Sequence, residues 1–494
     1  MKYNYSKYKT AITTFLISLI FSNTLSAQTT VKDLKTEDFI SDFDILVKII
    51  KKQHPNPYKF ISEKSFDHKV DSLRKILVLN PNIYSFGSLS VTKLLKDVHT
   101  SLALSDEIGL EVYKAGSYFP YPIYIERGRV FVNIKGKEIP YGAEIISINN
   151  SPVRAILKNI GSGNSDGNIP TGIDRMSDNF VSSYSYSMPH AKSYTVSFIK
   201  QGETQTNTIV ANTCDPSKAY YNASKAVMPF NLITQHHNIY SEFIDAKQTG
   251  VITVNTFNLT EQSAYKEFSK FFKDVNQRKY KNVIIDVRNN GGGDPSISAL
   301  LYSFITKTPF ANQYTYKTKN IKLAYPEYII GDNNSKPSDE HVRSSNDYMY
   351  QRFDKDTVSG FYVGNARLDE GLISNFPPDK DTFTGNVYIL TGSRTISAAT
   401  YFASLVKKNN RGTIIGKETS SGVDATTAAW FVNYQLPKTK SILALPLSEI
   451  YFFNATQDSG RGLMPDKEVP IKTFIQYMLE DKDPEMSFTL DSIK

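Results

Sequence analysis

Short β-branched runs alternate with amphipathic segments over the second half of this 494-residue chain. The runs that are typical of buried strands lie at residues 251–255, 282–287, 386–390 and 413–415. The segments between them that have helical periodicity lie at residues 260–279, 295–304 and 398–408. Strands that alternate with helices are joined by crossovers, which favour parallel pairing. The sequence therefore predicts an α/β core with a sheet that is at least partly parallel.

Two of these strands end in residues that suit acyl transfer. Ser397, in Thr395-Ile-Ser-Ala-Ala399, follows one strand and begins a helix, a position that exposes its hydroxyl. Gly291-Gly-Gly293 follows another strand, and its amides can approach a ligand without a Cβ in the way. A nucleophile and a set of amide donors are the minimum parts of an acyl-transfer site. On local sequence alone, Ser397 as a helix N-cap and the glycines as a plain loop remain open alternatives.

One histidine stands out as a candidate base. The chain has 7 histidines, and none has the spacing of a zinc signature with acids or with the cysteine, so no metal or other cofactor is expected. His99 lies in Asp97-Val-His-Thr100, at the end of a helical region. An imidazole is the usual partner of a serine nucleophile because it exchanges protons near neutral pH. Taken alone, His99 is better interpreted as a structural histidine.

The N-terminus and the composition bear on location. Residues 1–27 combine three lysines, a short apolar stretch and a small residue before Gln28, which predicts a cleavable signal peptide rather than a membrane span. The formal net charge of +8 is spread over a long chain and gives no case for nucleic-acid binding. Cys214 is the only cysteine, so neither an intramolecular disulfide nor a lipobox is expected. These features favour a periplasmic or secreted protein.

Several motifs, taken in chain order, resemble the C-terminal processing (tail-specific) serine peptidases and their tricorn-core relatives. Asp97-Val-His-Thr100 is similar to the family's D-G/P-H-T element, and residues 140–149 resemble the part of its PDZ-like module where substrate tails dock. Residues 286–293 resemble its oxyanion loop, and residues 395–399 its T-x-S-A-A nucleophile element. Residues 415–419 and 460–466 resemble its I-G-x-x-T and G-x-G-x-x-P-D segments. The resemblance implies a crotonase/ClpP-like peptidase core with an N-terminal helical segment and a PDZ-like β-rich domain.

The chain departs from the family's Ser/Lys dyad. Gly422 stands where the dyad has its lysine, and Thr400 stands where it has a supporting glutamate. Lys417 lies on a strand exit and is discounted as a substitute. The resemblance therefore indicates the tricorn-like branch, in which a histidine transfers the proton, and it assigns that role to His99 and the nucleophile to Ser397.

The resemblance also assigns the rest of the site. It implies oxyanion donors at Gly292 and Ala398, with Gly291 as an alternative. A histidine base needs an orienting group on its other ring nitrogen. Tricorn relatives have a serine before the histidine, where this chain has Val98, and a glutamate near the final glycine turn. Candidates for the orienting acid are therefore left open, at Asp458, Glu449 and Asp97.

The expected domains follow from the local composition and periodicity of the chain together with the family resemblance. They are a signal peptide (1–27), an N-terminal helical domain (28–104), a PDZ-like domain (105–212), a serine peptidase αβ core (213–475) with an irregular surface insertion (318–380), and a C-terminal tail (476–494).

The expected function is that of an exported serine endopeptidase that acts on extended or unfolded polypeptides through an acyl-enzyme. An alternative is an inactive module that binds a peptide or an apolar ligand, and a weaker one is an ester or glycan-acyl hydrolase. No nucleic acid and no membrane span after signal removal are expected, and the sequence does not give the oligomeric state.

Overall fold

The computed structural model describes residues 30–88, 91–161, 165–188, 190–228, 237–311, 313–331, 335–368, 375–453 and 455–493. The predicted signal peptide lies outside these residues. Within them, no helix has both the length and the apolar character needed to cross a membrane.

The N-terminal region is helical, as its periodicity predicts. Phe39, Phe43, Leu46 and Ile50 recur at three- and four-residue spacing and are buried on one helix face. That helix ends at Gln53, immediately before His54 and Pro55, because a proline disfavours helix in the residue before it. The elements are α1 (Thr36–Gln53), α2 (Glu63–Leu79), α3 (Ile83–Ser88), β1 (Ser101–Ala103) and α4 (Asp106–Ala115).

A six-stranded antiparallel sheet follows, with strand order β2-β3-β4-β6-β7 and β5 paired to β4. β4 is paired on both sides, with β3 and with β6. A peptide strand therefore cannot be added to β4, although the segment that resembles the tail-docking stretch includes it. The elements are β2 (Ile123–Glu126), β3 (Arg129–Val132), β4 (Glu144–Ile148), β5 (Ser151–Pro152), α5 (Val153–Ile160), α6 (Phe180–Ser187), β6 (Ser193–Ile199), β7 (Thr206–Asn212) and α7 (Pro216–Ala223).

The remaining chain forms the α/β core. Its helices are α8 (Glu261–Gln277), α9 (Pro295–Ser303), α10 (Asp339–Arg352), α11 (Ala398–Lys408), α12 (Ile471–Leu479) and α13 (Pro484–Ser492). Its strands are β8 (Ile239–Ile244), β9 (Thr249–Val254), β10 (Asn282–Asp286), β11 (Phe310–Ala311), β12 (Tyr314–Thr318), β13 (Ile329–Ile330), β14 (Phe353–Lys355), β15 (Tyr362–Gly364), β16 (Asn375–Phe376), β17 (Asn386–Thr391), β18 (Thr413–Gly416), β19 (Ala425–Ala428), β20 (Val432–Gln435), β21 (Ile442–Leu445) and β22 (Ser448–Phe452).

The central sheet has the order β18-β17-β10-β9-β8. β9, β10, β17 and β18 pair in parallel, and only β8 at the edge is antiparallel. Alternate residues face opposite sides of a strand, so Ile285 packs on one face with α8, α9 and α11 while Ile284 packs on the other. The predicted α/β core is confirmed.

Two expectations about the margins of the core need correction. The segment 318–380 is less irregular than its polar composition suggested, because it contains α10 and several short strands. The expected C-terminal tail begins inside α12 and continues into α13. Ile493, just after α13, is buried against the second face of the central sheet. An apolar sheet face must be covered, and these last residues cover it.

The N-terminal helices share a core with late strands. Phe43 and Leu46 of α1 belong to the same buried cluster as Tyr434 of β20 and Leu443 of β21. β1 is paired antiparallel with β21, with Ser101 opposite Ala444. Since β1 begins two residues after His99, this pairing fixes the position of the His99 backbone relative to the peptidase core.

Candidate active site

Ser397 occupies the turn between β17 and α11 in an unusual backbone conformation. Its φ is 56° and its ψ is −126°, a combination that costs about 1–3 kcal/mol for a residue with a side chain. Its side chain makes no capping hydrogen bond to the helix that it precedes. The alternative of a plain helix N-cap is therefore wrong. The strained turn, in which the Ser397 hydroxyl has no hydrogen bond to any described residue, has the geometry of a nucleophile elbow.

Buried polar contacts hold this turn in place. The Thr395 hydroxyl donates to the Val287 carbonyl at 2.8 Å, which ties the turn to the end of β10. The Ile396 N–H donates to the Asn290 carbonyl at 3.1 Å. The Ser397 N–H donates to Ser421 Oγ at 2.7 Å. These contacts compensate the strain at Ser397, since they over-determine the backbone around it.

The glycine loop lies directly against Ser397. Gly292 has a φ of +97°, and a Cβ added to it would lie 2.6 Å from Ser397 Cβ and 3.2 Å from the Ala398 nitrogen. The Gly292 N–H donates to Asn290 Oδ1 at 2.8 Å, so this amide is engaged within the loop. The N–H groups of Gly291 and Ala398 have no hydrogen-bond partner among the described residues. Amide donors therefore lie next to Ser397, and Gly292 can act as one only if its contact with Asn290 opens.

His99 is held at the junction of the N-terminal region and the core, with 13% of its side chain exposed. Its Nδ1 lies 3.4 Å from Thr426 Oγ1 on β19 and 4.0 Å from Asp97 Oδ1. The ring of Phe431, a residue that is 45% exposed, has its centroid 6.1 Å from that of the imidazole. The side chain is thus part-buried, with oxygen atoms facing one of its two ring nitrogens.

The Asp97 carboxylate holds the His99 backbone in place through hydrogen bonds. Its Oδ1 accepts from the His99 N–H at 2.8 Å, and its Oδ2 lies 3.0 Å from His54 Nε2 and accepts from the Thr100 hydroxyl. Burial would raise the pKa of the Asp97 carboxyl, but the hydrogen bond and the charge of His54 lower it below its ordinary value. Asp97 therefore stays ionised and shapes the loop that carries His99.

Asp166, which was not among the candidate residues, completes the surroundings of His99. Its Oδ1 accepts from the Val98 N–H at 3.0 Å, and its Oδ2 accepts from the Gly422 N–H at 3.0 Å and from the Thr426 hydroxyl at 2.7 Å. Burial raises the pKa of this carboxyl, while the charge of His99 opposes that rise. In the sequence it is one acid in a Gly/Ser/Asp-rich loop, and no local signal marks it because its partners are distant along the chain.

One short segment of the core contacts both Ser397 and His99. Ser421 accepts from the Ser397 N–H, and Thr426 lies beside the imidazole. Asp166 bonds to both Gly422 and Thr426 within that segment. The two residues that were predicted to act together, far apart in sequence, are therefore joined through residues 421–426.

The other two candidate acids lie in a different ion-pair group. Lys59 Nζ is 2.8 Å from Glu449 Oε1 and 2.6 Å from Asp458 Oδ2. Burial would lower the pKa of Lys59, but the two carboxylates raise it above its ordinary value. Among the described residues, neither acid forms a hydrogen bond or ion pair with His99. The structure gives both acids a direct partner in Lys59, and of the three candidates it brings only Asp97 next to the imidazole.

The positions of the Ser/Lys dyad are occupied by a hydrogen-bonded hydroxyl network. The Ser421 hydroxyl donates to Thr400 Oγ1 at 2.9 Å, and the Thr400 hydroxyl donates to the Thr395 carbonyl at 3.2 Å. A Cβ on Gly422 would lie 2.0 Å from the Ala425 carbonyl oxygen, so no side chain fits there. Lys417 is buried against Glu126 and Asp174, whose charges raise its pKa well above the ordinary value despite burial. It is a structural cation.

Asp97, His99 and Asp166 each offer one potential ligand atom to a cation, with these atoms within 4.8 Å of one another. The oxygens of both carboxylates, however, already accept from N–H or O–H groups. The arrangement fits a hydrogen-bonded acid–histidine cluster.

Comparisons with known proteins bear on the fold and on the segment that contains Ser397. Residues 248–469 match the model of peptidase family S41. The fold is similar to a structure of mature CPAF complexed with lactacystin, at a TM-score of 0.60 and 14% identity, over 93% of this chain and 97% of that one. It is equally similar to another structure of mature CPAF, at a TM-score of 0.59 and 15% identity, over 93% and 96% of the chains.

No curated protein sequence matches the chain. At identities this low, the CPAF structures show a shared fold, and the family assignment comes from the matched segment. That segment contains the glycine loop, Ser397 and residues 421–426. Residues 248–469 thus match peptidase family S41 and form a serine-type peptidase domain.

Proposed function

We propose that the protein is an exported serine endopeptidase that cleaves extended or unfolded polypeptides through an acyl-enzyme on Ser397. The observation that carries this proposal is the segment 421–426, which contacts both Ser397 and His99. Export is supported by the signal-like residues 1–27, and the destination is the periplasm or the exterior. The segment 105–212 is proposed to be a PDZ-like substrate module, with docking on an outer strand of its sheet because β4 is paired on both sides.

In the proposed reaction, His99 accepts the Ser397 hydroxyl proton while Oγ attacks the carbonyl carbon of the scissile bond. The bond to nitrogen then breaks, and the leaving amine takes the proton from His99. Water next gives a proton to His99 and attacks the ester, which releases the carboxylic acid and restores the serine. Every proton that is taken up by the imidazole is returned within the cycle.

The oxyanion that forms during each attack needs preorganised donors. The Ala398 amide begins a helix, where N–H groups are unpaired and the helix dipole favours negative charge. We assign it as one donor and assign the second to the glycine loop, at Gly292 or Gly291. For Gly292 the N–H must exchange Asn290 Oδ1 for the oxyanion. Loss of one such donor reduces rates by about 10²- to 10³-fold in related chemistry.

A fluorophosphonate probe tests the proposal, because it phosphonylates an activated serine. We expect covalent labelling at Ser397 of the full chain without its signal peptide, and hydrolysis of an unstructured protein. Ser397→Ala should abolish both, and His99→Gln should reduce both by orders of magnitude. Equal turnover by wild type and Ser397→Ala would refute the mechanism. Thr427→Val is a matched control, since Thr427 is the neighbour of Thr426 on β19 and points to the other face of the strand.

The engaged amide of Gly292 supports a second candidate function. If its bond to Asn290 never opens and Gly291 does not replace it, the site lacks a full oxyanion hole and the fold is left as a peptide-binding module. Such a protein would bind an extended peptide at equilibrium without labelling by the probe. Labelling separates the two functions directly, because it requires an activated hydroxyl and a stabilised oxyanion.

A further inference from the structure

The hydrogen bonds around Thr426 have a defined direction. A hydroxyl has one proton to donate and two lone pairs that accept. The Thr426 hydroxyl lies 2.7 Å from Asp166 Oδ2 and 3.4 Å from His99 Nδ1. Asp166 also accepts the Val98 and Gly422 amides, so both of its oxygens are acceptors. The Thr426 proton therefore goes to Asp166, and only its lone pairs are left for the imidazole.

This direction determines the tautomer of His99. The groups that face Nδ1 are Thr426 Oγ1 and, at 4.0 Å, Asp97 Oδ1, and both accept hydrogen bonds. A nitrogen that faces acceptors is satisfied only if it carries the proton. Nε2 then has the free lone pair that a general base requires. The charged or titratable groups around the ring are Asp97 and Asp166, with His54 behind Asp97.

We propose that Thr426 and Asp166 are positioning residues that hold His99 in the Nδ1–H tautomer, so that Nε2 receives the Ser397 proton. This inference rests on the proposed function and names the acid that the sequence left open. The acid acts through a hydroxyl rather than by direct contact. The 3.4 Å separation is long for a hydrogen bond, and such contacts shorten when substrate closes a site.

The contacts from Asp166 through Thr426 to His99, which we call the relay, also link distant parts of the chain. Asp166 follows the antiparallel sheet's helix α5, Thr426 lies on β19 of the core, and His99 precedes β1. The Asp166 N–H donates to the Ser420 carbonyl at 3.0 Å, and the Gly167 N–H donates to the Lys96 carbonyl at 2.8 Å. Placement of this loop therefore determines whether the imidazole is oriented.

Substitutions at Thr426 test the relay. Thr426→Val keeps the shape of the side chain and removes the hydroxyl, while Thr426→Ser restores the hydroxyl on a smaller side chain. We expect Thr426→Val to lower kcat and the fluorophosphonate labelling rate by about 10²-fold with KM nearly unchanged, because a misoriented base costs roughly that factor. Thr426→Ser should recover most of the loss, and Asp166→Asn should resemble Thr426→Val. Thr427→Val should retain wild-type kcat. Wild-type kcat in Thr426→Val would overturn the inference.

Imidazole ¹⁵N NMR of the wild-type protein provides a measurement that does not depend on the folding of the Thr426 and Asp166 variants. With His99→Gln used to assign the signal, the neutral ring of the wild-type protein should carry its proton on Nδ1. A proton on Nε2 would overturn the inference even if the protein is an active peptidase. If wild type neither labels nor hydrolyses, the proposed function fails, and the tautomer still reports on the relay.

Discussion

The contact between Gly292 and Ser397 leads to the sharpest prediction. A Cβ at position 292 would lie 2.6 Å from Ser397 Cβ, whereas ordinary contacts begin at 3.4 Å. Gly292→Ala must therefore displace the nucleophile or the loop by close to an ångström. A misplacement of about 1 Å can reduce a rate by about 10²-fold. The φ of +97° adds backbone strain of about 1–3 kcal/mol to the folded state.

The displacement of Ser397 can be separated from the backbone strain by a control glycine that has a positive φ but no neighbour for an added Cβ. Gly136 has a φ of +71°, and a Cβ added to it has no neighbour within 4 Å. We expect Gly136→Ala to lose a comparable amount of thermal stability and to label Ser397 at the wild-type rate. Gly292→Ala should lose both stability and about 10²-fold in labelling rate, measured with a fluorophosphonate below its melting temperature. Labelling of folded Gly292→Ala at the wild-type rate would refute the proposed close fit.

Three further predictions address other groups near the site. Lys417→Met should lower the free energy of urea unfolding by about 3–5 kcal/mol, because it leaves buried carboxylates unpaired. The folded variant should still react with the fluorophosphonate at Ser397. Loss of that labelling would instead make Lys417 a catalytic base. Phe431→Ala should weaken the preference for apolar substrate residues beside the scissile bond, because the exposed Phe431 ring lies beside His99. In a peptide-library assay, KM should rise by about 10-fold. An unchanged cleavage profile would contradict this prediction. Asp97→Asn should be less stable than wild type at neutral pH. Because the pKa of Asp97 is lowered in the folded state, its carboxylate stabilises the fold above its unfolded pKa of about 3.9, and this stabilisation is lost as the pH falls through the folded pKa. The difference in unfolding free energy between wild type and Asp97→Asn should therefore shrink in acid. A difference that stays constant would exclude this role for the Asp97 carboxylate.

Much of the core could be predicted because its signals are local. The strand at residues 282–287 and the helix at 260–279 depend on β-branched runs and on helical spacing, and the structure places them within two residues of the predicted bounds. Ser397 was identified by the small residues around it, yet its local sequence by itself favoured a helix cap. The φ of 56° and the missing cap bond decided between these alternatives.

The surroundings of His99 were predicted less well. Asp97 is adjacent in sequence and was among the candidates, whereas Asp166 was not, because its hydrogen bonds reach residues 98, 422 and 426. Glu449 and Asp458 were named from a resemblance in position, and the fold gives both of them Lys59 as a partner. The role of a carboxylate depends on which donors surround it, and no single sequence lists donors from distant segments.

By itself, the sequence determined which residues could do chemistry: a serine at a strand-to-helix turn, glycines at a neighbouring strand end, and a histidine with no lysine at the dyad position. These properties are encoded in short stretches, where side-chain type and backbone freedom act locally. Tertiary structure alone decided which oxygen atoms lie around the histidine, which amides beside Ser397 have no partner among the described residues, and how the last helix covers the sheet. Those outcomes depend on packing between segments hundreds of residues apart, since burial and hydrogen bonding are properties of the assembled interior.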